Sequence, residues 1–496
     1  MMSDKLMDAR NYEETYRGRI GEKERPAFHI TPAVGWMNDP NGFSVYNGEY
    51  HLFYQYHPYN IQWGPMHWGH VVSNDLLHWK YLPAALAPGE EYDRDGCFSG
   101  SAAALSDGRH LLMYTGVLRE QQNDGSICEV QTQCLAVGDG LNYKKYEQNP
   151  VLTEKDIPDG GSRFDFRDPK MWQKADGTFC CVVGNRSADS SGQILLYTSK
   201  DGFCWKYETV LAASRNRFGK MWECPDFFEL DGKWVLLTSP QDMLPQGFEY
   251  HNGNGTLCLI GDYDEDSYDF TEQYNQSVDY GIDFYAPQTI LTPDGRRIMI
   301  GWMQNWDTCS IRTSDEKWAG QMSIPRELSI RDNRLYQKPI RELETLRAGM
   351  TEYKNVPVSG EVNLEGIRGR IVDLELALHF DEEADCRKFA IRFAQNAQYR
   401  TSLSYHPQDH ILKIDRKFSG SRRAVIHQRR CLVRGKRGEL KLRIILDRYS
   451  AEIFVNDGEQ VITATIYTDL EADGISFYAE GLVKMDVTKY DLNMNH

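Results

Sequence analysis

Five Asn-Gly or Asp-Gly turn signals divide the N-terminal three-fifths of this chain: Asn47-Gly48, Asp107-Gly108, Asp176-Gly177, Asp231-Gly232 and Asp294-Gly295. Each is followed by an apolar, strand-like run such as Tyr50-His51-Leu52-Phe53-Tyr54 or Trp234-Val235-Leu236-Leu237. These dipeptides mark hairpins, because both central residues of the tightest turn take positive φ. The recurrence, about every sixty residues, is long for a solenoid and suits a blade of four short antiparallel strands. A second repeat supports it. The run from Ser73 to Tyr81, with Asp75 and Trp79, returns two periods later from Ser199 to Tyr207, with Asp201 and Trp205. The chain therefore reads as all-β, opening with a five-bladed β-propeller whose hairpins contribute their first strands to the centre.

Counting back nine residues from each turn glycine reaches Asp39, Ser99, Asp168, Glu223 and Ala286. Pro40, Pro169 and Pro287 directly follow three of these positions, and Pro225 follows Glu223 by two. Proline fits at a strand start, where its missing N–H breaks no ladder bond. Equivalent positions on innermost strands converge on a propeller's central channel, so three acids far apart in sequence are expected to share one pocket.

Beyond the blades the pattern changes. Pro339 to Arg347 reads as a linker helix, and alternating runs such as Asp373 to Phe380 and Met485 to Leu492 read as half-buried strands of an antiparallel β-sandwich. The expected division is an N-terminal arm or short helix (1–25, with Asp4 to Tyr16 a short amphipathic helix or an extended arm), a catalytic propeller (26–336), a linker helix (337–349) and the sandwich (350–496). Residues 413–443 carry Lys413, Arg416, Lys417, Arg422, Arg423, Arg429, Arg430, Arg434, Lys436, Arg437, Lys441 and Arg443 against Asp415 and Glu439. This strip reads as the solvated face of a sheet, or as a surface for an anionic ligand or a partner subunit.

The formal net charge of −16 argues against nucleic acid as a partner. The polar, charged N-terminus has no apolar signal core, and no later run is apolar enough for a membrane span. Eleven scattered cysteines without C-x-x-C or His/Cys spacing read as free thiols in a reducing cytoplasm, with no metal site.

Three segments carry the chemistry. Trp36-Met37-Asn38-Asp39-Pro40-Asn41-Gly42 sets a carboxylate among short amides. Arg167-Asp168-Pro169 places a second beside a cation that favours its ionised form, and Trp222-Glu223-Cys224-Pro225-Asp226 a third beside tryptophan, where an apolar surface suits a general acid. Two carboxyl groups in unequal environments are what splitting a glycosidic bond requires. Trp36, Trp63, Trp68, Phe98 and Trp302 are candidates to stack on a sugar's apolar face.

WMNDPNG, FRDPK and WECPD, in this order and spacing, resemble the three signature motifs of glycoside hydrolase family 32, the invertases, sucrose-6-phosphate hydrolases and fructan hydrolases. Phe98-Ser99-Gly100-Ser101, Tyr285-Ala286-Pro287-Gln288 and Ser450 to Gly458 extend the resemblance over most of the chain. It implies a propeller joined to a sandwich and a retaining β-fructofuranosidase acting on sucrose, sucrose 6-phosphate or short fructo-oligosaccharides. Asp39 would be the nucleophile, Glu223 the acid/base and Asp168 the transition-state stabiliser. Asn38, Gln55, Trp63, Phe98, Ser99, Arg167, Tyr285 and Trp302 would bind substrate. The resemblance implies no cofactor or metal, and admits a homodimer through the sandwich. The propeller loops 118–133 and 154–165 are expected to shape the leaving-group side and to set substrate length. The same motifs fit a fructosyltransferase; a catalytically silent carbohydrate-binding protein would bind sucrose without turnover.

Overall fold

The computed structural model describes residues 2–122, 124–309, 317–380, 386–420, 426–433 and 438–494. Five sheets form the blades of a propeller, each running outward from an innermost strand. The innermost strands are β1 (Gly35–Tyr46), β2 (Gly96–Ala104), β3 (Phe166–Gln173), β4 (Met221–Leu230) and β5 (Tyr285–Leu291). Their side chains are mostly buried on both faces, since one faces the channel and the other the next blade.

The five expected hairpins are all present, but only two turns have the predicted backbone. Asn47-Gly48 (φ 50° and 80°) and Asp231-Gly232 (φ 51° and 76°) take positive φ at both residues. At Asp107-Gly108, Asp176-Gly177 and Asp294-Gly295 the glycine alone does so, and its N–H bonds back to the carbonyl of Leu105, Lys174 or Thr292. These are three-residue loops with the glycine in the left-handed position, the next commonest hairpin solution. The second repeat is a turn between the third and fourth strands of blades one and three. Asp75 accepts from the N–H groups of Leu77 and His78, and Asp201 from those of Phe203 and Cys204.

The ring is closed by the chain returning from blade five. Trp318–Ala319 adds a short parallel strand to β1, and the Met322 N–H bonds the Ile30 carbonyl. The helix α1 (Asp4–Tyr16), capped by the Ser3 hydroxyl, buries Leu6, Ala9 and Glu13; Arg10 and Glu13 bond the backbone of Ala84 in the outer strand of blade one.

After Pro339 a 3-10 helix, Arg341–Leu346, buries Leu343 and Leu346. The sandwich follows. Its last strand, β6 (Gly474–Leu492), is long enough to serve both sheets: the first part pairs with Lys388–Gln395 and the second with Val372–His379. The sandwich is fixed to the propeller by buried charge. The fully buried Arg326 bonds Glu452, Asp279, Gln337 and Thr463. His29 lies between Asp447 (2.8 Å) and Glu452 (2.9 Å), and Arg416 reaches Asp283. The basic strip is thus not one uniform face: Arg416 points inward, Lys441 pairs with Asp457 and Arg443 with Asp373. Arg422, Arg423, Arg434, Lys436 and Arg437 lie outside the described residues. No helix among the described residues is long and apolar enough to cross a membrane.

Candidate active site

In every blade the pairing of the innermost strand with its neighbour slips at the same end. The breaks fall between Met37 and Pro40, Phe98 and Gly100, Arg167 and Lys170, Glu223 and Asp226, and Tyr285 and Gln288. A bulge of this kind bends the strand and re-aims a side chain. Asp168, Cys224 and Ala286 occupy equivalent places in their bulges, with φ of 65°, 48° and 52°. The residue equivalent to Asp168 in the fourth blade is therefore Cys224, one beyond the count from the turn glycine. Glu223 instead matches Arg167 and Tyr285. The hairpin loops differ in length, so a fixed offset loses register by one.

Two glycines set the fourth strand deep. A Cβ on Gly184 would stand 2.3 Å from the Trp222 carbonyl oxygen, and one on Gly192 would stand 2.4 Å from the Trp222 ring. Blades three and four can approach this closely only because both positions lack a side chain, and Glu223 is carried inward with Trp222.

The bulges open onto a cavity of about 310 Å³ at one mouth of the channel, lined by Asn38, Asp39, Gln55, Trp63, Phe98, Ser99, Arg167, Asp168 and Glu223. Glu129, Gln131, Phe164, Asp165, Gln241 and Trp306 complete the lining. Asp39 accepts from the Ser99 hydroxyl at 2.7 Å, the Asn38 amide at 3.1 Å and the Cys224 thiol at 3.3 Å. Burial, then the charge of Glu223, pushes its carboxyl above the usual range; the three donors oppose this. Asp168 accepts from the Cys224 N–H at 2.9 Å, and the Cys224 thiol, which has one proton for the two acids, lies 3.5 Å from it. Burial drives Asp168 up to about 7, Arg167 pulling down and Glu223 and Asp39 pushing up. Burial beside these acids holds the Cys224 thiol well above its ordinary pKa, so it stays protonated and donates.

Glu223 is not set against bare apolar surface as the sequence suggested. Arg167 places Nε and Nη2 each 3.0 Å from Oε1, and the Trp306 indole N–H lies 3.3 Å from Oε2. Burial opposes the Arg167 charge, but Glu223, Asp168 and Asp165 outweigh it and hold the guanidinium above its ordinary pKa. The Tyr285 hydroxyl lies 2.6 Å from Glu223 Oε2 and 2.9 Å from the Ser239 carbonyl oxygen. A hydroxyl has one proton. It donates to Glu223 when that group is ionised, and can turn to Ser239 and accept from Glu223 when it is protonated.

Two residues expected to bind substrate do not line the cavity. Tyr285 and Trp302 are fully buried. Tyr285 acts through Glu223, and Trp302 packs behind Trp306 with ring centroids 5.1 Å apart. Trp36 and Trp68 are core as well: the Trp36 indole N–H bonds Asn38, and that of Trp68 bonds the Phe98 carbonyl. Of the five candidate stacking rings only Trp63, 38% exposed, and Phe98 face the cavity, meeting edge to face at 5.9 Å. Trp306 was missed; its only sequence signal was a tryptophan four residues after Trp302 in a polar stretch. The segments 118–133 and 154–165 do reach the cavity, through Glu129, Gln131 and Phe164 with the adjoining Asp165. The first is no loop but the extended end of a hairpin, His110–Gln121 and Ile127–Gly138.

A propeller with three carboxyl groups converging at the mouth of its channel defines a glycosidase scaffold, and the chain belongs to glycosyl hydrolases family 32. The family's N-terminal domain model matches residues 29–339 and its C-terminal model residues 342–493. The protein is accordingly a glycoside hydrolase. It is 39% identical to the raffinose invertase of Escherichia coli over 489 residues, covering 96% of this chain and 97% of that one. It is 38% identical to a sucrose-6-phosphate hydrolase of the same organism over 492 residues, 97% of each. Among solved structures, a mutant of a Bombyx mori GH32 beta-fructofuranosidase in complex with sucrose superimposes with a TM-score of 0.84 at 34% identity, over 98% of both chains.

Proposed function

We propose that this protein is a retaining β-fructofuranosidase that removes a terminal β-D-fructofuranosyl unit from sucrose or a short fructoside. The observation that carries the reading is the meeting of Asp39, Asp168 and Glu223 in one cavity with three different sets of partners. The names and substrates of the relatives support it.

Asp39 is the nucleophile. Ser99, Asn38 and Cys224 favour the ionised form of its carboxylate against burial and fix its orientation toward the anomeric C2 of a bound fructosyl unit. Glu223 is the acid/base. The Tyr285 hydroxyl satisfies it in both protonation states, as a group needs when it first protonates the leaving oxygen and then takes a proton from water. Asp168 accepts fructose hydroxyls and stabilises the oxocarbenium-like transition state. Asn38, Gln55, Ser99 and Arg167 line the fructosyl end. Trp63, Phe98 and Trp306 offer rings to the sugars. The eleven free thiols favour a reducing compartment.

The test is release of glucose and fructose from sucrose by the wild type and by Glu223→Ala. The variant is expected to lose sucrose hydrolysis and to keep part of its activity on a fructoside with a good leaving group, where no acid is needed. Equal loss on both substrates contradicts the acid role. Binding of sucrose without release of either hexose from the wild type would overturn the reading, and oligosaccharides formed at high sucrose would redirect it to fructosyl transfer.

A further inference from the structure

Each bulge leaves backbone groups outside the ladder, and a buried N–H must find an acceptor elsewhere. In blades three, four and five two residues of the innermost strand stand opposite one of its neighbour: Asp168-Pro169, Cys224-Pro225 and Ala286-Pro287. Proline has no N–H, so each bulge leaves one N–H to satisfy. An oxygen from the preceding blade takes it every time. Thr115 Oγ1 accepts from Asp168, Asp168 Oδ2 from Cys224 and Ser239 Oγ from Ala286, each at 2.9 Å.

Thr115 and Ser239 occupy equivalent places. Each lies on the second strand of its blade, opposite the last paired residue before the bulge: Thr115 faces Phe98 and Ser239 faces Glu223. In blade three that place, opposite Arg167, is held by Gly184. Glycine offers no hydroxyl, and the Trp222 carbonyl oxygen fills the space its side chain would need. The Cys224 N–H goes to the Asp168 carboxylate instead. Three blades are thereby joined in a row. Thr115 fixes the Asp168 backbone, the Asp168 carboxylate fixes the Cys224 backbone, and Glu223 adjoins Cys224.

Thr115 is fully buried and does not line the cavity. Its one proton has two acceptors in reach, Gln133 Oε1 at 2.9 Å and the Ser99 carbonyl oxygen at 3.2 Å. A lone pair is left for the Asp168 N–H. Gln133 is itself fixed, donating to the Phe166 carbonyl at 2.7 Å. Asp168 has a φ of 65°, a conformation a residue other than glycine keeps only where its surroundings impose it. The bond from Thr115 helps impose it, and so sets the direction in which the carboxyl leaves the backbone.

We infer that Thr115 is a positioning residue of the reaction, its hydroxyl orienting Asp168 so that the carboxyl stays on the Cys224 N–H at the cavity wall. The role of Asp168 is taken from the β-fructofuranosidase reading, on which the inference rests.

The experiment compares Thr115→Val, which keeps the shape and deletes the hydroxyl, with Thr115→Ser, which keeps the hydroxyl. Hydrolysis of sucrose is measured per folded molecule, and the valine variant is crystallised. Its kcat is expected to fall about ten- to a hundredfold, and serine to restore most of the rate. A wild-type kcat in the folded valine variant overturns the inference, since Thr115 would then only support the fold. So does a serine variant as slow as the valine one, since the methyl group would then be what matters. Should valine prevent folding, Thr115→Cys takes its place, its sulfur being a weak acceptor. A slower enzyme is again expected, and a wild-type rate again refutes. In the crystal the Asp168 carboxyl is expected to have left the Cys224 N–H; a bond kept at 2.9 Å overturns the inference. Hexose release by the wild type judges the hydrolase reading separately, and the crystal decides the role of Thr115 even if that reading fails.

Discussion

Ser99→Ala removes one hydroxyl from the Asp39 carboxylate and little else. Ser99 is buried, its Oγ lies 2.7 Å from Asp39 Oδ2, and the Cys224 thiol stays 3.3 Å from the same oxygen. A hydrogen bond to an ionised group contributes about 1.5–3 kcal/mol. That energy favours the charged form of a carboxyl that burial and Glu223 already push up. Without it Asp39 protonates more readily, and the acid limb of the kcat/KM profile on sucrose moves to higher pH. Far below that limb the active fraction is proportional to the acid dissociation constant. The whole 1.5–3 kcal/mol then appears there as a loss of about ten- to a hundredfold, shrinking on the plateau where both enzymes are ionised. The assay is the full pH profile of kcat/KM for both proteins. A loss of the same size at every pH would mean that Ser99 only positions or packs. No loss at any pH would mean that it does not bond the working form of Asp39. Either result refutes the argument.

Tyr285→Phe keeps the ring and deletes the hydroxyl between Glu223 and Ser239; kcat on sucrose should fall about ten- to a hundredfold, with less loss on an activated fructoside, and a change confined to KM would contradict this. Arg326→Met strands Glu452 and Asp279 in the interface, with His29 as the remaining cation on Glu452. It should cost about 3–5 kcal/mol in chemical denaturation and separate the unfolding of propeller and sandwich, whereas the exposed Arg341→Ala should cost at most about 1 kcal/mol; a stability equal to wild type in Arg326→Met would show that the network is not what joins the domains. Stability should be greatest at about pH 6.5 and decline towards about pH 9. Burial draws His51, His67 and His251 down to about 4 and His110 to about 3, so below 6.5 the unfolded chain binds protons that the native state refuses; burial also raises Glu13 and Asp168 to about 7, which offsets part of this, and the net stability falls with pH. Asp447 and Glu452, against burial, raise His29 to about 9; its contribution is complete below 6.5 and is lost as pH rises through 9. Urea midpoints measured across this range check both limbs, and a midpoint that climbs below pH 6 would be incompatible.

The local code was legible because it obeys short-range rules. Asn-Gly and Asp-Gly can be read as turns since the positive φ they need is a property of the residues themselves, and their even spacing implied equal blades. Asp39, Asp168 and Glu223 stood out because they recur at like distances from those turns. What the spacing could not convey was which backbone conformation each turn adopts, and so which residue enters the bulge: one residue of loop length put Cys224, not Glu223, in the place of Asp168. Nor could it sort the aromatics. Trp36, Trp68, Trp302 and Trp306 are alike as residue types, and only the neighbours contributed by other blades make three of them core and the fourth a wall of the cavity. The electrostatics belong wholly to the tertiary structure. Arg167 is adjacent in sequence to Asp168, yet in space its donors go to Glu223, Asp165 and Gln131. Arg416, one residue of a strip that reads as a solvated face, is buried against Asp283 of the propeller. A charge's partner is set by distance and by exclusion of water, and both arise only when strands far apart in the chain are brought together.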